Sequence, residues 1–568
     1  MRVLIVNTAE RTGGAAIAAN RLLQALNRNG VEARMLVRDR KSDAPEVVNI
    51  PQSWRLKANF LWERGVIWLN NGLSKKGIFQ VDIANAGTDI TTMPDFKWAD
   101  VIHLHWVNQG FLSLNDLERI MASGKPIVIT LHDQWYFTGI CHYSGECSKY
   151  QKQCEKCPML KNIGMDLAQH VFDSKRAMYE GRNVAFVGCS RWMADLARKS
   201  PLTRGHLVTN IPNAIDTDVF TPMDKLKARK KHNLPTDKKL LLFGAQRITD
   251  ERKGFSYLVE ACEHISKHSS SLSRKLGVVV LGGDATSVKE ALPLPVYPVN
   301  YLSNEAEIAE LYNAVDLFVT PSLQDNLPNT IVEAMACGTP CVGFNVGGIP
   351  EMISHKQNGY VADYCDSIDF AQGIAWCLSE TRHANLCAAA CTTAHFTYAE
   401  SVVASRYKDI YPSTPQQTTT KYIDPKSVIL CKQSKETRCY IILALMLFDG
   451  YHQIDEMINE GGQLYLDALG LTIEDVRKYP MPDYAQIVSH LKPISDSVVR
   501  NWVIMHTYAS VLNFATFESL NMFEKFCLDL KWDPDEIEEC MDFSEELSRI
   551  PPLRLSIAYT RWKENNNS

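Results

Sequence analysis

The 568-residue sequence lacks any run of about 18 consecutive apolar residues, so no segment is predicted to span a membrane. It also lacks a basic excess, because 60 Lys and Arg face 65 Asp and Glu, for a formal net charge of -5. Nucleic-acid binders usually carry a basic domain or stripe, so we expect no nucleic-acid partner. The apolar run after Met1 is too short for a signal-peptide core and continues into a glycine loop, so no export is predicted.

The sixteen cysteines do not form the compact framework of a small secreted domain, which favours a reducing compartment. Hydrophobic residues make up 45% of the chain and charged residues 22%, as in ordinary globular proteins. The length exceeds what one hydrophobic core organises, so several domains are expected. We predict a multidomain cytoplasmic protein.

The first half of the sequence shows a β-α-β pattern. The short apolar run Val3–Val6 is followed by Gly13-Gly14, by apolar residues at helical spacing up to Leu26, and by alternation over Val31–Val37. Further buried-strand patterns occur at Val101–Leu104, Ile127–Leu131 and Val184–Val187. This alternation predicts a doubly wound parallel sheet for residues 1–210.

A second series of buried strands predicts the same architecture for residues 211–411. Its members are Leu240–Phe243, Val278–Leu281, Val296–Val299, Leu317–Thr320 and Cys341–Phe344. Open α/β sheets bind ligands at the carboxyl ends of their strands, so two such sheets predict a binding cleft between them. The polar residues 412–421 read as a linker, and helical periodicity beyond them predicts a separate helical domain over 422–568.

The segment Pro321–Pro340 carries the most chemical information. It places Asp325 in a loop after a strand and Glu333 inside the following helix. Helix N-terminal amides can hold a phosphate, while carboxylates accept hydrogen bonds from sugar hydroxyls. An isolated glutamate would more often simply face solvent.

This segment resembles the E-x7-E region of the retaining GT-B glycosyltransferases of family 4, with Asp325 in place of the first glutamate. Pro212–Asp216, Gly347–Glu351 and Asn358-Gly359 follow in the order of that family, so the resemblance covers about residues 1–411. It implies two Rossmann-like domains facing a cleft, the first on the acceptor side and the second binding the donor. The overall expectation is an α/β protein of GT-B architecture with an all-α C-terminal domain.

The resemblance also implies roles for individual residues. Arg247 and Lys253, two cations in a loop after a strand, should bind the donor diphosphate, although loop cations without a motif are usually only solvated. Glu333 should bind the donor ribose, and the catalytic positions beside the transferred sugar should be Asp325 and His132. The remaining donor contacts implied are Leu327, Asn329 and Thr330. Gly13 and Gly14 would let backbone amides approach the donor phosphate, since glycine allows close approach, although a tight turn explains this pair equally well.

The activity implied is retaining, hexosyltransferase-like transfer from a nucleotide-diphosphate sugar to a glycan or lipid-linked acceptor, as in surface polysaccharide synthesis. The carboxylate region holds no Asp-x-Asp motif, which favours chemistry without a metal or other cofactor. Two alternatives stay open at this point. One is a sugar-nucleotide epimerase of the same architecture, and the other is a non-enzymatic sugar-nucleotide-binding module.

Three further features remain outside this assignment. The cluster Cys141, Cys147, Cys154 and Cys157 fits either a structural zinc site or free thiols. Aromatic and basic residues between Trp54 and Lys76 fit a peripheral membrane contact at the inner face of the membrane, or, as is more usual, a helical insertion packing its aromatics on the first domain. The tail faintly resembles TerB-like helical domains around Phe448-Asp449-Gly450, and we predict only that it binds a protein partner.

Overall fold

A computed structural model describes residues 1–51, 54–411, 433–449, 466, 469, 471–479, 483–494, 500, 503–504, 507 and 517–532. The chain divides into two compact units, Met1–Pro415 and Gln416–Ser568. The predicted linker 412–421 lies outside the described residues, as do Gly450 and the side chains of Phe448 and Asp449.

The first sheet has seven parallel strands in the order β3-β2-β1-β4-β5-β6-β7. Its central strands are apolar runs buried on both faces, because helices cover both sides of a parallel sheet. The strands are β1 (Arg2–Ala9), β2 (Glu32–Asp39), β3 (Val47–Asn49), β4 (Val101–Leu104), β5 (Ile127–Leu131), β6 (Val184–Gly188) and β7 (Leu207–Asn210).

Within residues 1–210, six helices accompany this sheet. Polar N-caps start several of them, and Ser113 together with Asp116 forms a complete capping box at the fourth. The helices are α1 (Gly14–Arg28), α2 (Trp54–Asn70), α3 (Pro94–Trp98), α4 (Leu114–Ala122), α5 (Leu167–Tyr179) and α6 (Arg191–Arg198).

The second sheet has six parallel strands in the order β10-β9-β8-β11-β12-β13. They are β8 (Lys239–Gly244), β9 (Leu276–Leu281), β10 (Val296–Val299), β11 (Leu317–Thr320), β12 (Cys341–Phe344) and β13 (Gly359–Ala362). The accompanying helices are α7 (Lys225–Lys231), α8 (Phe255–His268), α9 (Ser270–Lys275), α10 (Glu305–Ala314), α11 (Asn329–Ala336), α12 (Ile349–Met352), α13 (Ser367–Cys377), α14 (His383–Tyr398) and α15 (Glu400–Ile410).

This architecture confirms the predicted fold class of two Rossmann-like domains. All ten strands expected from buried apolar runs are present. The three that the pattern did not indicate are β3, β7 and β13, which are short and lack a continuous buried apolar run at their sequence positions. An edge strand such as β7, with no fully buried residue, gives no such signal.

The last helix of the first unit returns to the first sheet. Tyr407 and Tyr411 pack with Val3, Leu22 and Leu26 in one apolar cluster against α1. The range 211–411 predicted for the second domain includes α15, because the order of elements in the sequence does not show that the chain crosses back to the first sheet. The chain thus passes between the two domains twice, once near Ile215 and once near Tyr398. These two connecting segments are hydrogen-bonded to each other, because Ile215 N donates to Tyr398 O at 2.8 Å.

The second unit is helical where it is described. Its helices are α16 (Lys435–Asp449), α17 (Ile473–Arg477), α18 (Tyr484–Leu491) and α19 (Phe517–Leu530). Buried apolar side chains from these helices, among them Ile441, Leu445, Ile487 and Phe526, form a core of their own. In the described parts of the whole chain, no helix is long and apolar enough to cross a membrane.

Candidate active site in the interdomain cleft

The candidate site lies where the strand order of each sheet reverses. In the first sheet the reversal falls between β1 and β4, and in the second between β8 and β11. Loops leaving the carboxyl ends of strands diverge at such a point and open a crevice. Gly13, Lys253 and Asp325 stand on the loops after β1, β8 and β11, and His132 stands on the loop after β5, the neighbour of β4.

Lys253 and Asp325 form the central ion pair of the site. Lys253 ends the short 3-10 turn after β8, and its Nζ lies 2.6 Å from Asp325 Oδ2 in the loop after β11. Both side chains are partly buried, with 32% and 16% exposure. The lysine that the resemblance implies for the phosphate and the carboxylate that it implies for the sugar are therefore in direct contact.

Two glycines allow these loops to come so close. Gly254 has a φ of +68°, and a Cβ there would lie 1.8 Å from Pro321 O. Gly347 has a φ of +60°, and its Cβ would lie 1.8 Å from Asp325 O. Any other residue at either position would both strain the backbone and displace the loop that carries Asp325.

Asn326 connects the second domain to the histidine end of the first. Its Nδ2 donates to Leu131 O at 3.0 Å and His132 O at 3.2 Å, while its Oδ1 accepts from Ser190 Oγ at 2.6 Å. Because Asn326 follows Asp325 directly, this buried bridge holds Asp325 near the end of β5. The structure thus brings the two predicted catalytic positions to one place.

The half-buried His132 stands at the end of a row of histidines whose other members, His103 and His105, are buried. Its Nε2 lies 2.8 Å from His105 Nδ1, and its Nδ1 lies 3.5 Å from Cys189 Sγ. His103, two residues before His105, contacts Tyr411 OH at 2.6 Å and Thr130 Oγ1 at 2.7 Å. Burial lowers the pKa of His132 to about 4 and that of His103 to about 3, and it lowers the pKa of His105 well below the ordinary 6.5. All three imidazoles are therefore neutral at pH 7.

These histidines predict a loss of stability in mild acid. Below pH 6.5 the unfolded chain binds protons at these positions while the folded protein does not, so stability present above pH 6.5 falls as the pH is lowered. Between about pH 7.5 and 5.5 each histidine should remove roughly 1 kcal/mol of unfolding free energy. Urea unfolding of the full chain, followed by tryptophan fluorescence, measures this change.

His103→Gln provides the control for the acid effect. Glutamine keeps hydrogen-bonding groups near Thr130 but does not titrate in this range. The variant should therefore lose less stability between the two pH values than the original chain. An equal loss in both proteins would show that His103 is not the source.

The helix N-termini on the two sides of the cleft face each other. Gly13, with a φ of +91°, precedes α1, and Gly14 O accepts from Asn329 Nδ2 at 3.2 Å, where Asn329 is the first residue of α11. Asn213, from the crossing segment, donates to Asn329 Oδ1 at 2.9 Å. Free amides at two helix N-termini make this a suitable place for an anion.

Glu333 is buried and is paired across the cleft. Its Oε1 lies 2.8 Å from Arg21 NH2 of α1, and its Oε2 accepts from Tyr312 OH at 2.9 Å. Arg21 also binds Glu305 Oε1 at 2.7 Å and is itself only 7% exposed. The interpretation that Glu333 merely faces solvent is wrong, because both of its oxygens have protein partners.

The other predicted donor contacts lie on the second domain. Arg247 is exposed and lines an open cavity of about 690 Å³ at the carboxyl ends of β8, β9 and β10, together with Gln246, Thr249, Gly283, Asp284 and Tyr301. Leu327 is buried and Thr330 half-buried around the start of α11. The structure therefore places Arg247 in a pocket of its own rather than in the Lys253–Asp325 pair.

The four clustered cysteines line a single cavity of about 20 Å³. Cys141, Cys154 and Cys157 are buried, and Cys154 Sγ accepts from Gly139 N at 3.2 Å. Across the described residues, no three His, Cys, Asp or Glu side chains already converge as a metal-binding group. The four cysteines thus share the lining of one cavity, and a zinc ion there stays a prediction.

Three residues of the site were not anticipated. Arg21, Asn326 and Glu351 all join the two domains, and Glu351 accepts from the first amides of α6, Arg191 N and Trp192 N, both at 2.7 Å. Arg21 stood out in the sequence only as a charge within the otherwise apolar face of α1. Its partners lie about 300 residues further on, beyond the reach of any local pattern.

Comparisons with known proteins agree with this arrangement. Residues 12–219 match the family described as Glycosyltransferase Family 4, and residues 237–380 match Glycosyl transferases group 1. The chain is 32% identical over 222 residues to a D-inositol 3-phosphate glycosyltransferase of Stackebrandtia nassauensis, covering 37% of this chain and 49% of that protein. It is 25% identical over 421 residues to the enzyme of that name from Xylanimonas cellulosilytica, covering 70% and 91%.

A solved sucrose-phosphate synthase from Thermosynechococcus elongatus is similar in fold. The TM-score is 0.51 at 18% sequence identity, and the match covers 72% of this chain and 98% of that structure. The chain thus spans about half the length of the Stackebrandtia relative but nearly all of this structure. In each case the matched region falls short of the full 568 residues.

Proposed function

We propose that this chain, which belongs to the GT-B glycosyltransferases of family 4 and group 1, transfers a hexose from a nucleotide-diphosphate sugar to a glycan or lipid-linked acceptor with retention of configuration. The observation that carries the proposal is the contact of Lys253 with Asp325, held by Asn326 beside the end of β5. Surface polysaccharide synthesis is the role we propose for the product.

The leaving diphosphate would bind between the two helix N-termini. Negative charge grows on the phosphate as the sugar departs, and the first amides of α1 and α11 would stabilise it, since Asn329 Nδ2 lies only 3.2 Å from Gly14 O. Lys253 would leave Asp325 and bind an oxygen of the diphosphate instead. Arg247 would approach from the cavity at the ends of β8 to β10, where a nucleotide has room.

The sugar side of the site would be formed by Asp325 and His132. Once Lys253 turns to the phosphate, Asp325 is free to accept hydrogen bonds from sugar hydroxyls. A neutral His132 adds no positive charge beside the oxocarbenium-like centre that forms as the glycosidic bond breaks. The acceptor hydroxyl would pass its proton to the leaving phosphate, so these residues need supply no general base.

A screen of nucleotide sugars by thermal shift, followed by product analysis, tests this proposal. A donor that binds the folded state raises the unfolding temperature, which identifies the nucleotide. Incubation with and without acceptor then separates transfer from epimerisation, and NMR of the product reports retention at the anomeric carbon. Donor turnover that is unchanged by chelator supports chemistry without a metal, whereas donor binding without any turnover would leave only a binding module.

The four cysteines support a second, structural proposal. A closed set of four thiolates is a common zinc site, and a cavity of about 20 Å³ is large enough for one water-sized occupant. We propose that Cys141, Cys147, Cys154 and Cys157 hold one zinc ion that fixes the loop after β5. Lys175 fixes the start of the same loop, since its buried Nζ donates to Trp135 O, Thr138 O and Gly139 O.

We expect elemental analysis of the purified full chain to find about one zinc per chain. Cys154→Ser should lose the metal, whereas Cys262→Ala, which alters a buried cysteine of α8, should keep it. The unfolding temperature measured alongside should fall further in the variant that lost zinc than in Cys262→Ala, which removes only one buried sulfur atom from the core. A folded preparation of the original chain that is free of metal would disprove the site.

A further inference from the structure

Helix α2 has its polarity reversed relative to an ordinary surface helix. Trp54, Leu61, Trp62 and Leu69 are 76%, 66%, 62% and 61% exposed and, with 3.6 residues per turn, fall on one face. Its charged pair Glu63 and Arg64 is buried instead, with Asn70. A helix between protein and water normally shows the opposite distribution. The expectation that its aromatic residues pack on the first domain is therefore wrong for both Trp54 and Trp62.

Specific hydrogen bonds fix α2 in this orientation. Glu63 Oε1 accepts from Ile83 N at 3.0 Å and Ala84 N at 2.6 Å, and Arg64 NH2 lies 3.0 Å from Asp82 Oδ2. Rotating the helix to hide its tryptophans would expose these groups and break their bonds. The exposed apolar face is thus built into the fold of the first domain.

The apolar face continues beyond the end of α2. Leu73, Phe79, Ile163 and Met165 are 58%, 61%, 60% and 64% exposed. The chain around Ile163 is joined to the helix end, because Ile163 N donates to Asn70 O at 2.9 Å. We call the eight exposed apolar residues of α2 and this continuation the α2 patch: Trp54, Leu61, Trp62, Leu69, Leu73, Phe79, Ile163 and Met165. A contiguous exposed surface of this kind marks an interaction site.

The exposed charges along α2 and the segment after it are basic, whereas Asp166 and Asp173 lie beside Met165 at the far end of the patch. Between residues 54 and 79 every exposed charged side chain is basic, since Glu63, the one acidic residue, is buried. The exposed basic residues bordering the patch are Arg55, Lys57, Lys75, Lys76 and Lys161. Tryptophan and leucine enter the interfacial zone of a bilayer, while Lys and Arg attract anionic headgroups.

We infer that the α2 patch docks this protein on an anionic membrane surface. Two copies meeting patch to patch would bring their basic borders together, which disfavours self-association. A Cβ on Gly110 would lie 2.6 Å from Phe60 N, so α2 packs on the loop after β4, at the cleft edge of the first sheet. Docking would hold the acceptor-side domain against the bilayer, independently of whether the proposed transfer occurs.

Vesicle co-sedimentation with the full chain and no donor tests this inference. The chain should bind phosphatidylglycerol-containing vesicles, bind pure phosphatidylcholine vesicles less, and release as salt is raised. Trp62→Gln combined with Leu69→Gln should weaken binding at least about tenfold, because apolar area leaves the bilayer. Lys75→Ala with Lys76→Ala should weaken binding to the anionic vesicles by about tenfold or more.

Phe396→Gln is the matched control, because this aromatic side chain is 76% exposed on α14 of the second domain. It should bind vesicles as the original chain does. The same proteins are examined by circular dichroism and analytical ultracentrifugation, so that misfolding and self-association are recognised. Absence of binding to anionic vesicles, equal binding by the Trp62/Leu69 variant, or a dimer abolished by that variant in place of vesicle binding would each overturn the inference.

Discussion

Lys253→Ala is expected to lower kcat/KM for the donor by a factor of about 100 to 1,000, the usual loss when one oriented group that stabilises developing charge is removed. The Lys253 ammonium is held 2.6 Å from Asp325, so a neighbouring carboxylate fixes its position in the loop. The variant removes the cation from the phosphate and also leaves Asp325 without this partner. Initial rates at subsaturating donor measure the loss.

Two further variants show whether the rate depends on the charge and on the position of Lys253. Lys253→Arg keeps the positive charge but not the compact ammonium, so it should recover part of the rate. Lys267→Ala removes an exposed lysine of α8 that pairs only with Glu263 nearby, and it should act like the original chain. If Lys253→Ala retained near-original kcat/KM, the assignment of the donor site to this ion pair would be incorrect.

Glu333→Gln is expected to affect donor binding and stability together. The carboxylate lies against a buried Arg21, and its loss leaves that guanidinium with only the more exposed Glu305 as a charged partner. Removing one member of such a buried pair destabilises by about 1 to 3 kcal/mol when hydrogen bonding is kept. If Glu333 also binds the ribose, donor affinity should fall by about tenfold or more, the loss expected for one charged hydrogen bond.

The matched control for this substitution is Glu305→Gln. It removes the other carboxylate of the same guanidinium, at 43% exposure and outside the recognised motif. Urea unfolding should show some destabilisation in both variants, whereas calorimetric titration with donor should show weakened binding only for Glu333→Gln. Equal donor affinity in the two variants would make Glu333 a purely structural residue that joins the domains.

Most of the fold could be predicted from the sequence because its central strands are continuous apolar runs. Leu317–Thr320 and Ile127–Leu131 are buried on both faces and coincide with β11 and β5. Such runs occur where helices cover both faces of a sheet. The path of α15 could not be predicted in this way, since Tyr407 and Tyr411 bond to residues about 300 positions earlier.

The candidate site was predicted in its parts and not in its connections. The motif indicated Asp325 and Lys253, and the structure joins them directly. The motif does not indicate that Glu333 pairs with Arg21, because this ion pair depends on how the two domains are oriented relative to each other. The histidine row is another example, since a strand pattern places His103 and His105 on one face without identifying Tyr411 or His132 as their partners.

The two connecting segments at Ile215 and Tyr398 lie side by side and form one interdomain hinge. One connecting strand would let the domains twist and slide, but two that are bonded side by side, with Glu400 N also donating to Ile215 O at 3.2 Å, leave rotation about their common line as the least costly motion. Displacement in such a rotation grows with distance from the axis. Arg28 binds Asp216 and Glu400 at this line, so a rotation there would disturb these pairs least, whereas it would separate contacts farther out, such as Asn326 with His132.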